Sequence, residues 1–380
     1  MFIVSTMSMW RCQGLSELLK EDARFSVKVV VYPFSNYDDD SREREYKIAE
    51  EYFLKQDVDF QSVQTSEEYI RMKREFRPDI IFYPQPYDGL YGNALEWEQN
   101  RDCLLAYEPY CLAMSVQWIG YNMKFHNLAW KHYQPSELHI AQARTVAFNK
   151  GENLVCVGEP RADDFSDSVE KSPWKKIDDG KARKRVIWAP HFQIFNRGYV
   201  NRPEFLWASQ RMVEIAKKYE DVLQIAFKPH PKLRTSLYNH PDWGKEKTDR
   251  HYQLWEEMAN TQIADGEYVD LFKTSDAMIH NCGSFSAEYL YARKPVAYLT
   301  QNEENVRHYL NEFGNKCIDC HYLLQSEDAI DDFVKNVVLG GNDTLKELRN
   351  KVYEEQMRPP KGVSVAENIY NDLVESLHLS

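Results

Sequence analysis

The chain lacks any apolar run long enough to cross a bilayer, since no stretch approaches the roughly 18 residues that a membrane helix needs. Its opening stretch, MFIVSTMSMWRCQG, has no basic region followed by a long apolar core, so we expect no secretory signal. The 7 cysteines are scattered and odd in number, which favours free thiols in a reducing compartment. Together these absences predict a cytoplasmic protein.

A complete metal or haem motif is also missing. The segment CIDCH, Cys317 to His321, has the spacing of a c-type haem attachment site, but such a site requires export. A single CxxC pair is weak evidence for zinc, because no second ligand pair is spaced to complete a tetrahedral site. We therefore expect neither a metal nor a cofactor.

Charge and composition exclude two further classes of protein. Hydrophobic residues make up 43% of the 380, which is enough for a core and argues against disorder. The formal net charge of -12 argues against a nucleic-acid binder. One basic segment, KSPWKKIDDGKARKR, has two interpretations: contact with the anionic inner face of the cell membrane, or a solvated linker whose basic run is interrupted by acids. Its cations are Lys175, Lys176, Lys181, Arg183, Lys184 and Arg185, and the interrupting acids are Asp178 and Asp179.

Strand-like and helix-like segments alternate along the chain, which predicts an α/β protein with parallel sheets. The alternation restarts near Lys184, after a polar stretch that suits a linker. We predict an N-terminal domain over residues 1–165, a linker over 166–183 and a second domain over 184–355. Residues 356–380 should form a helix that packs back on the linker or the first domain. Two open α/β domains facing each other across a cleft are one solution to this order.

Polar residues follow three predicted strands of the second domain. In an open parallel sheet, ligands bind beyond the carboxyl ends of the strands, so these residues should share one rim. They come from the segments WAPH, KPHP and HNCGS, and they are His191, Lys228, His230, His280, Gly283 and Ser284.

The pair Gly283-Ser284 stands at the start of a predicted helix, where backbone N–H groups favour phosphate. Glu288 lies four residues later on the same helical face and is suited to accept hydrogen bonds from a ribose. The alternatives are ordinary: Ser284 as a helix cap, Glu288 as a surface residue, and the histidines as solvated loop residues. The combination favours a nucleotide-binding site.

The second half of the chain resembles the CDP-glycerol glycerophosphotransferase family, the teichoic-acid and capsule polymerases with a GT-B fold. The matching pieces, in order and spacing, are VGEPRADDF, VIWAPHF, FKPHP and DLFKTSDAMIHNCGSFSAEYLYARKPVAYL. The resemblance implies two Rossmann-type domains and a donor site in the second. It also implies that His230 and Ser284 bind the donor's phosphates, with His230 catalytic, and that Glu288 contacts the donor although many relatives have Asp there.

Two departures from the family pattern bear on mechanism. Many members read TDYSS where this chain has HNCGS. Of the two serines at the end of that motif, only the second is kept here, as Ser284. Many also carry a WHG motif whose histidine activates the acceptor, whereas the comparable segment here is QWIGYNMK, with Ile119 in that place. Isoleucine cannot take a proton. His126 is either a substitute base or a packing or acceptor-binding residue, and His191 and Asp88 are the next candidates.

The predicted function is transfer of a polyol phosphate from a CDP-linked donor to a glycan or polyol-phosphate acceptor. As the family resemblance implies, the acceptor is lipid-linked and the product is a cell-surface polymer, teichoic acid or capsule. One alternative is a GT-B glycosyltransferase or epimerase that uses a nucleotide sugar. Another is a nucleotide-binding scaffold without catalysis.

Overall fold

The computed structural model describes residues 1–56, 58–116, 121–195 and 203–379. The chain divides into two compact units. The first comprises Met1–Ala113, Gln117–Asp163 and Met357–Ser380, and the second comprises Met114–Val116 and Asp164–Gln356. Each unit is built on its own parallel sheet with helices, which confirms the predicted α/β class.

Within the described residues, the first unit holds a sheet of seven strands in the order β3-β2-β1-β4-β5-β6-β7. Every neighbouring pair is parallel. The central strands are short apolar runs with no exposed face, as expected of a sheet covered on both sides. The strands are β1 (Phe2–Val4), β2 (Val29–Val31), β3 (Phe60–Ser62), β4 (Ile80–Tyr83), β5 (Leu104–Tyr107), β6 (Lys131–Gln134) and β7 (Leu154–Cys156).

Helices alternate with these strands, and several begin at capping residues. The side chain of Asp38 accepts the N–H of Ser41, and Thr65 forms a capping box with Glu68. Such caps each contribute about 1 kcal/mol by satisfying otherwise unpaired N–H groups. The helices up to the division between the units are α1 (Gln13–Glu21), α2 (Asp39–Lys55), α3 (Ser66–Phe76), α4 (Lys124–Leu128), α5 (Glu137–Val146) and α6 (Arg161–Ser166).

The described part of the second unit holds a parallel sheet of six strands in the order β10-β9-β8-β11-β12-β13. The strands are β8 (Lys184–Ala189), β9 (Leu223–Phe227), β10 (Thr261–Ile263), β11 (Ala277–His280), β12 (Val296–Leu299) and β13 (Tyr322–Leu324). The helices are α7 (Glu204–Lys218), α8 (Leu233–Tyr238), α9 (Gly244–Glu257), α10 (Val269–Thr274), α11 (Phe285–Glu288), α12 (Glu303–Tyr309), α13 (Glu312–Asp319), α14 (Glu327–Asp332) and α15 (Lys346–Val352).

The core of the second unit is rich in stacked aromatic rings. Trp188 on β8 stacks on Phe205 of α7 and on Phe227 of β9, and it also packs against Trp255 of α9. All four side chains are fully buried. Truncating a buried aromatic residue of this kind typically costs about 3–5 kcal/mol, so this cluster ties α7 and α9 firmly to the sheet.

The last helix, α16 (Val365–Ser376), belongs to the first unit. Its first turn is held by Asp163, whose carboxylate accepts the N–H groups of Val365 and Ala366. Farther along, Asp372 pairs with Lys131 at 2.9 Å in a largely covered position. The chain end is therefore an integral part of the packing of the first sheet.

The stretch predicted as a linker, residues 166–183, lies within the second unit. Its Trp174 is buried and donates to the hydroxyl of Thr274 at 2.9 Å. In the basic segment, four cations form ion pairs with carboxylates: Lys176 with Asp178, Lys181 with Asp221, Arg183 with Asp179, and Lys184 with Asp276. This pairing favours the solvated interpretation of the segment. Among the described residues, no helix combines the length and apolar character that a membrane span requires.

Candidate functional site

The three loops singled out from the sequence follow β9, β8 and β11, which are neighbours in the second sheet. The strand order reverses between β8 and β11, because the chain adds β9 and β10 on one side and β11 to β13 on the other. In open α/β sheets, the crevice beyond the carboxyl ends at such a reversal is the usual ligand site. The sequence-based expectation that these loops share one edge is therefore confirmed by the topology.

Hydrogen bonds join the three loops to one another. The N–H of His230, after β9, donates to the carbonyl of Pro190 at 3.0 Å. The N–H of His191, after β8, donates to Oδ1 of Asn281 at 2.7 Å. The Asn281 side chain is fully buried and donates in turn to Glu204 at 2.9 Å. Sequence reasoning missed Asn281 because its partners are distant in the chain.

His230 occupies a half-buried position on this rim. Its Nδ1 accepts the N–H of Lys232 at 3.1 Å, so the neutral ring carries its proton on Nε2. The ring lies against Phe192, with centroids 4.4 Å apart, and against His191, at 5.1 Å. Burial, and then the nearby Lys232 ammonium, lower the pKa of His230 to about 4. At neutral pH the ring therefore offers a hydrogen-bond donor to an anionic ligand.

Gly283 and Ser284 form the turn that leads into α11. Ser284 is exposed, and its hydroxyl makes no capping bond to the helix, in contrast to the cap interpretation. Its carbonyl accepts the N–H groups of Ala287 and Glu288 at 3.1 and 3.0 Å. The helix has only four α-helical residues before a 3₁₀ turn at Tyr289–Ala292. Binding of donor phosphate at this turn stays a prediction.

Glu288 and Lys228 are buried, whereas the sequence predicts them in contact with the donor. Glu288 accepts a short hydrogen bond from the hydroxyl of Tyr268. The Nζ of Lys228 donates to the carbonyls of Gly266 at 2.8 Å and Ala264 at 3.3 Å, and burial lowers its pKa. Both side chains hold the Ala264–Tyr268 loop after β10 against the rim. Their direct contact with a donor stays a prediction.

His280 differs from expectation because its ring is fully buried behind the rim. Its Nδ1 accepts the N–H of Cys282 at 3.2 Å, and its Nε2 lies 3.1 Å from Nε2 of His321. His321 is itself tied by Nδ1 to the carbonyl of Cys317 at 2.8 Å. Cys317 and His321 of the CIDCH segment thus lie in the protein interior. In the described ranges, no cluster of three or more potential ligand residues is arranged to hold a metal ion.

His126, predicted as a substitute base, is also buried, with 2% of its surface exposed. Its ring stacks on His132, with centroids 4.8 Å apart, and its Nδ1 accepts the N–H of Met123 at 3.0 Å. Burial lowers its pKa to about 4. The expectation that this ring is open to an acceptor is therefore corrected, because packing covers it. Ile119, on which the argument for a substitute rested, lies outside the described residues.

The first unit has a polar cluster at the corresponding edge of its own sheet, which the sequence analysis missed. The strand order reverses between β1 and β4, and Ser5, Gln85 and Glu108 follow β1, β4 and β5. All three are buried. The thiol of Cys12, at the start of α1, donates a short hydrogen bond to Glu108. The sequence feature that could have indicated this cluster is the glutamate directly after the apolar run LLAY.

Comparison with known proteins supports the fold. No protein-family model matches the chain. The minor teichoic acid biosynthesis protein GgaB of Bacillus subtilis (strain 168) is 26% identical over 196 residues, which is 49% of this chain and 20% of GgaB. The chain thus spans about a fifth of the length of that curated relative.

Several solved structures are similar over nearly the whole chain. The S. aureus MnaA–UDP complex matches with a TM-score of 0.63 and 14% identity, covering 100% of this chain and 96% of that one. UDP-GlcNAc 2-epimerase from Neisseria meningitidis, bound to UDP-GlcNAc, matches at 0.58 and 12%, covering 98% of each chain. The wall teichoic acid polymerase TagF matches at 0.62 and 11%, covering 99% and 90%. At these identities the likeness establishes the fold, and that fold is GT-B.

Proposed function

We propose that this chain is a transferase that moves a polyol phosphate from a CDP-activated donor to a hydroxyl of a glycan or polyol-phosphate acceptor. The observation that carries the proposal is the joined rim of the second unit, where loops after three strands present His191, His230 and Ser284. The sequence relationship to GgaB, a teichoic acid biosynthesis protein, supports a role in cell-surface polymer synthesis. TagF, a wall teichoic acid polymerase studied with CDPG, supports the same class.

In the proposed reaction, the Nε2–H of His230 donates to a non-bridging oxygen of the donor diphosphate. A hydrogen bond to a charged group is typically worth about 1.5–3 kcal/mol. Negative charge close to the ring would raise its pKa from about 4, so His230 could become a cation as CMP departs. The turn at Gly283-Ser284 would supply backbone N–H groups to the same phosphates.

Nucleotide-sugar epimerisation is the second candidate, and the structural matches to UDP-GlcNAc 2-epimerases favour it. The two reactions differ in what leaves the enzyme. Transfer releases CMP only when an acceptor is present, whereas epimerisation changes the sugar and keeps UDP attached. A nucleotide-binding scaffold would bind without either change.

The test measures donor binding and turnover with CDP-glycerol, CDP-ribitol, a CMP-sugar and UDP-GlcNAc. We expect thermal stabilisation by a CDP-linked donor and CMP release that depends on a polyol-phosphate acceptor. Conversion of UDP-GlcNAc without loss of UDP would replace the proposal with the epimerase alternative. Donor binding without any turnover would replace it with the scaffold.

A matched pair of variants tests the role of the rim. His240 resembles His230 locally, since its Nδ1 also accepts an N–H two residues on, but it follows α8 rather than a strand. We expect His230→Ala to weaken donor binding and His240→Ala to leave it unchanged. Equal effects of the two variants would remove His230 from the donor site.

A further inference from the structure

Two of the three most exposed large apolar side chains in the described residues lie on neighbouring parts of the first unit. Phe148, in the turn between α5 and β7, has 86% of its surface exposed, and Leu128, the last residue of α4, has 64%. Single exposed apolar residues are common on protein surfaces. The question is therefore whether the structure holds these two residues together.

A network of asparagine side chains joins the turn that carries Phe148 to the end of α4. Oδ1 of Asn122 accepts the N–H of Phe148 at 3.1 Å and the side-chain amide of Asn127 at 3.0 Å. Oδ1 of Asn127 accepts the N–H of Asn149 at 2.9 Å, and the Asn149 amide donates to the carbonyl of Asn127 at 3.3 Å. Because Leu128 follows Asn127 and Phe148 precedes Asn149, these bonds hold the two apolar residues on adjoining backbone.

The turn between α5 and β7 is itself fixed in a strained form. Lys150 has a φ of 54°, a left-handed conformation that residues with a Cβ rarely adopt. Its N–H donates to the carbonyl of Ala147 at 3.1 Å, and Oδ1 of Asn149 accepts the N–H of Gly151 at 2.9 Å. Strain of this kind persists where the surroundings over-determine it, and it is concentrated at sites that contact ligands. The turn thus presents Phe148 to solvent on a rigid support.

Cations accompany the two apolar residues. Lys124 begins α4, Lys150 lies in the turn, and the side chain of Arg144 on α5 lies against the same turn, close to Gly151. All three cations are exposed, and within the described ranges none of them forms an ion pair. Glu152 is the one acidic residue of the turn. The surface around the apolar pair is therefore positive, although the whole chain carries a net charge of -12.

The size and charge of this surface favour a lipid bilayer over a protein partner. A stable protein interface covers about 800 Å² on each partner, which is more than two side chains on joined turns provide. A bilayer, in contrast, accepts a narrow projection, because aromatic and aliphatic side chains enter the boundary between headgroups and acyl chains. Anionic headgroups attract the lysine and arginine side chains that flank such residues.

We propose that Phe148 and Leu128 insert into the surface of an anionic phospholipid bilayer, with Lys124, Arg144 and Lys150 at the level of the headgroup phosphates. This contact does not depend on the proposed transfer reaction, since an epimerase or a scaffold could use the same surface. It also differs from the basic segment near Lys184, whose cations are paired with carboxylates.

Cosedimentation with vesicles tests the proposal. We expect the protein to bind vesicles of phosphatidylcholine mixed with phosphatidylglycerol more tightly than vesicles of phosphatidylcholine alone, and added salt should weaken this binding. Combining Phe148→Asp with Leu128→Asp should weaken binding to the mixed vesicles by roughly 10–100-fold, because the apolar contact is lost. Combining Lys124→Gln with Lys150→Gln should weaken it by about fivefold for each lysine.

Leu54→Asp is the matched control, because Leu54 on α2 is also an exposed leucine of the first unit, at 72%. Glu50 and Glu51 lie one helical turn before it on the same face, so an anionic bilayer should be repelled there. We expect this variant to bind the mixed vesicles as the wild type does. A loss equal to that of the Phe148 and Leu128 double variant would mean that added negative charge alone explains both, and it would overturn the assignment.

A fluorescence measurement locates the contact. Phe148→Trp should gain a blue-shifted emission component on mixed vesicles, quenched by brominated lipid, that the wild type lacks. Absence of that component, or failure of the wild type to bind mixed vesicles, would overturn the proposal. Sedimentation velocity without lipid gives a further check. Self-association that is lost in the Phe148 and Leu128 double variant would assign this surface to a second copy of the chain instead.

Discussion

The two sheets place polar residues at equivalent edges, yet they treat those residues differently. Each sheet reverses its strand order near the middle, between β1 and β4 in the first unit and between β8 and β11 in the second. In the second unit, His191, His230 and Ser284 are at least partly open to solvent, and local backbone N–H groups orient the two histidine rings. In the first unit, Glu108 is buried beside Cys12.

The difference lies in how deeply the residues after the strands are covered. A diphosphate is large and carries its own charge, so an open rim of hydrogen-bond donors suits the donor site that we propose. At the first edge, burial removes water from the Glu108 carboxyl and raises its pKa. The same topology therefore gives the residues after its strands different accessibility and proton affinity, depending on how deeply they are covered.

The largest expected effect comes from Asn281, which joins two loops of the open rim. Asn281→Ala removes the acceptor of the His191 N–H and the donor to the buried Glu204. Losing these two hydrogen bonds, one of them to a buried carboxylate, should lower the free energy of unfolding by about 3–4 kcal/mol. Urea denaturation followed by tryptophan fluorescence measures this loss. The exposed Asn239→Ala variant is the control, and equal stability of the two variants would contradict the joining role.

The buried carboxyl of Glu108 should make the stability of the folded protein depend on pH. Burial raises the pKa of Glu108 from 4.5 to about 7, so its carboxylate form disfavours the folded state. Stability is therefore lost as pH rises from about 4.5 through about 7. Between pH 4.5 and pH 8 the wild type should lose about 3 kcal/mol of unfolding free energy from this group, and Glu108→Gln should not show this loss. Denaturation at the two pH values measures the difference, and a pH-independent effect would mean that Glu108 is not protonated near neutrality.

At the open rim, His230→Ala should weaken donor binding without a comparable loss of stability. The ring is half-buried and makes one side-chain bond, to the N–H of Lys232. Losing a charge-assisted bond to phosphate corresponds to about 1.5–3 kcal/mol of binding free energy. Isothermal titration with CDP-glycerol measures the change. Unchanged affinity would mean that His230 does not contact the donor, and the contrast between an open donor rim and a buried edge would then lose its support.

The smallest effect is expected at His126, in the first unit. His126→Phe keeps the stacked ring and removes only the bond to the N–H of Met123. We expect a stability loss of about 1 kcal/mol and turnover within about threefold of wild type. A hundredfold loss of turnover in a folded variant would restore His126 as the candidate base.

Much of the architecture could be read from the sequence. The apolar runs that became β8, β9 and β11 are short and bounded by Pro or small polar residues, so their periodicity predicts strands without tertiary information. Parallel pairing then requires their carboxyl ends to share an edge, and this places His191, His230 and Ser284 on one rim. The division between the units was less well predicted, because Trp174, within a polar stretch, packs into the second unit.

What the tertiary structure decided is which polar side chains remain accessible. His280 and His230 look alike in sequence, each following a strand, but His280 meets His321, 41 residues away, and is enclosed. Glu108 meets Cys12 across 96 residues. Local sequence determines the conformation of a segment, since dihedral preferences and side-chain period act over a few residues. Burial and pKa depend on atoms that only the folded chain brings together, and no short-range pattern encodes them.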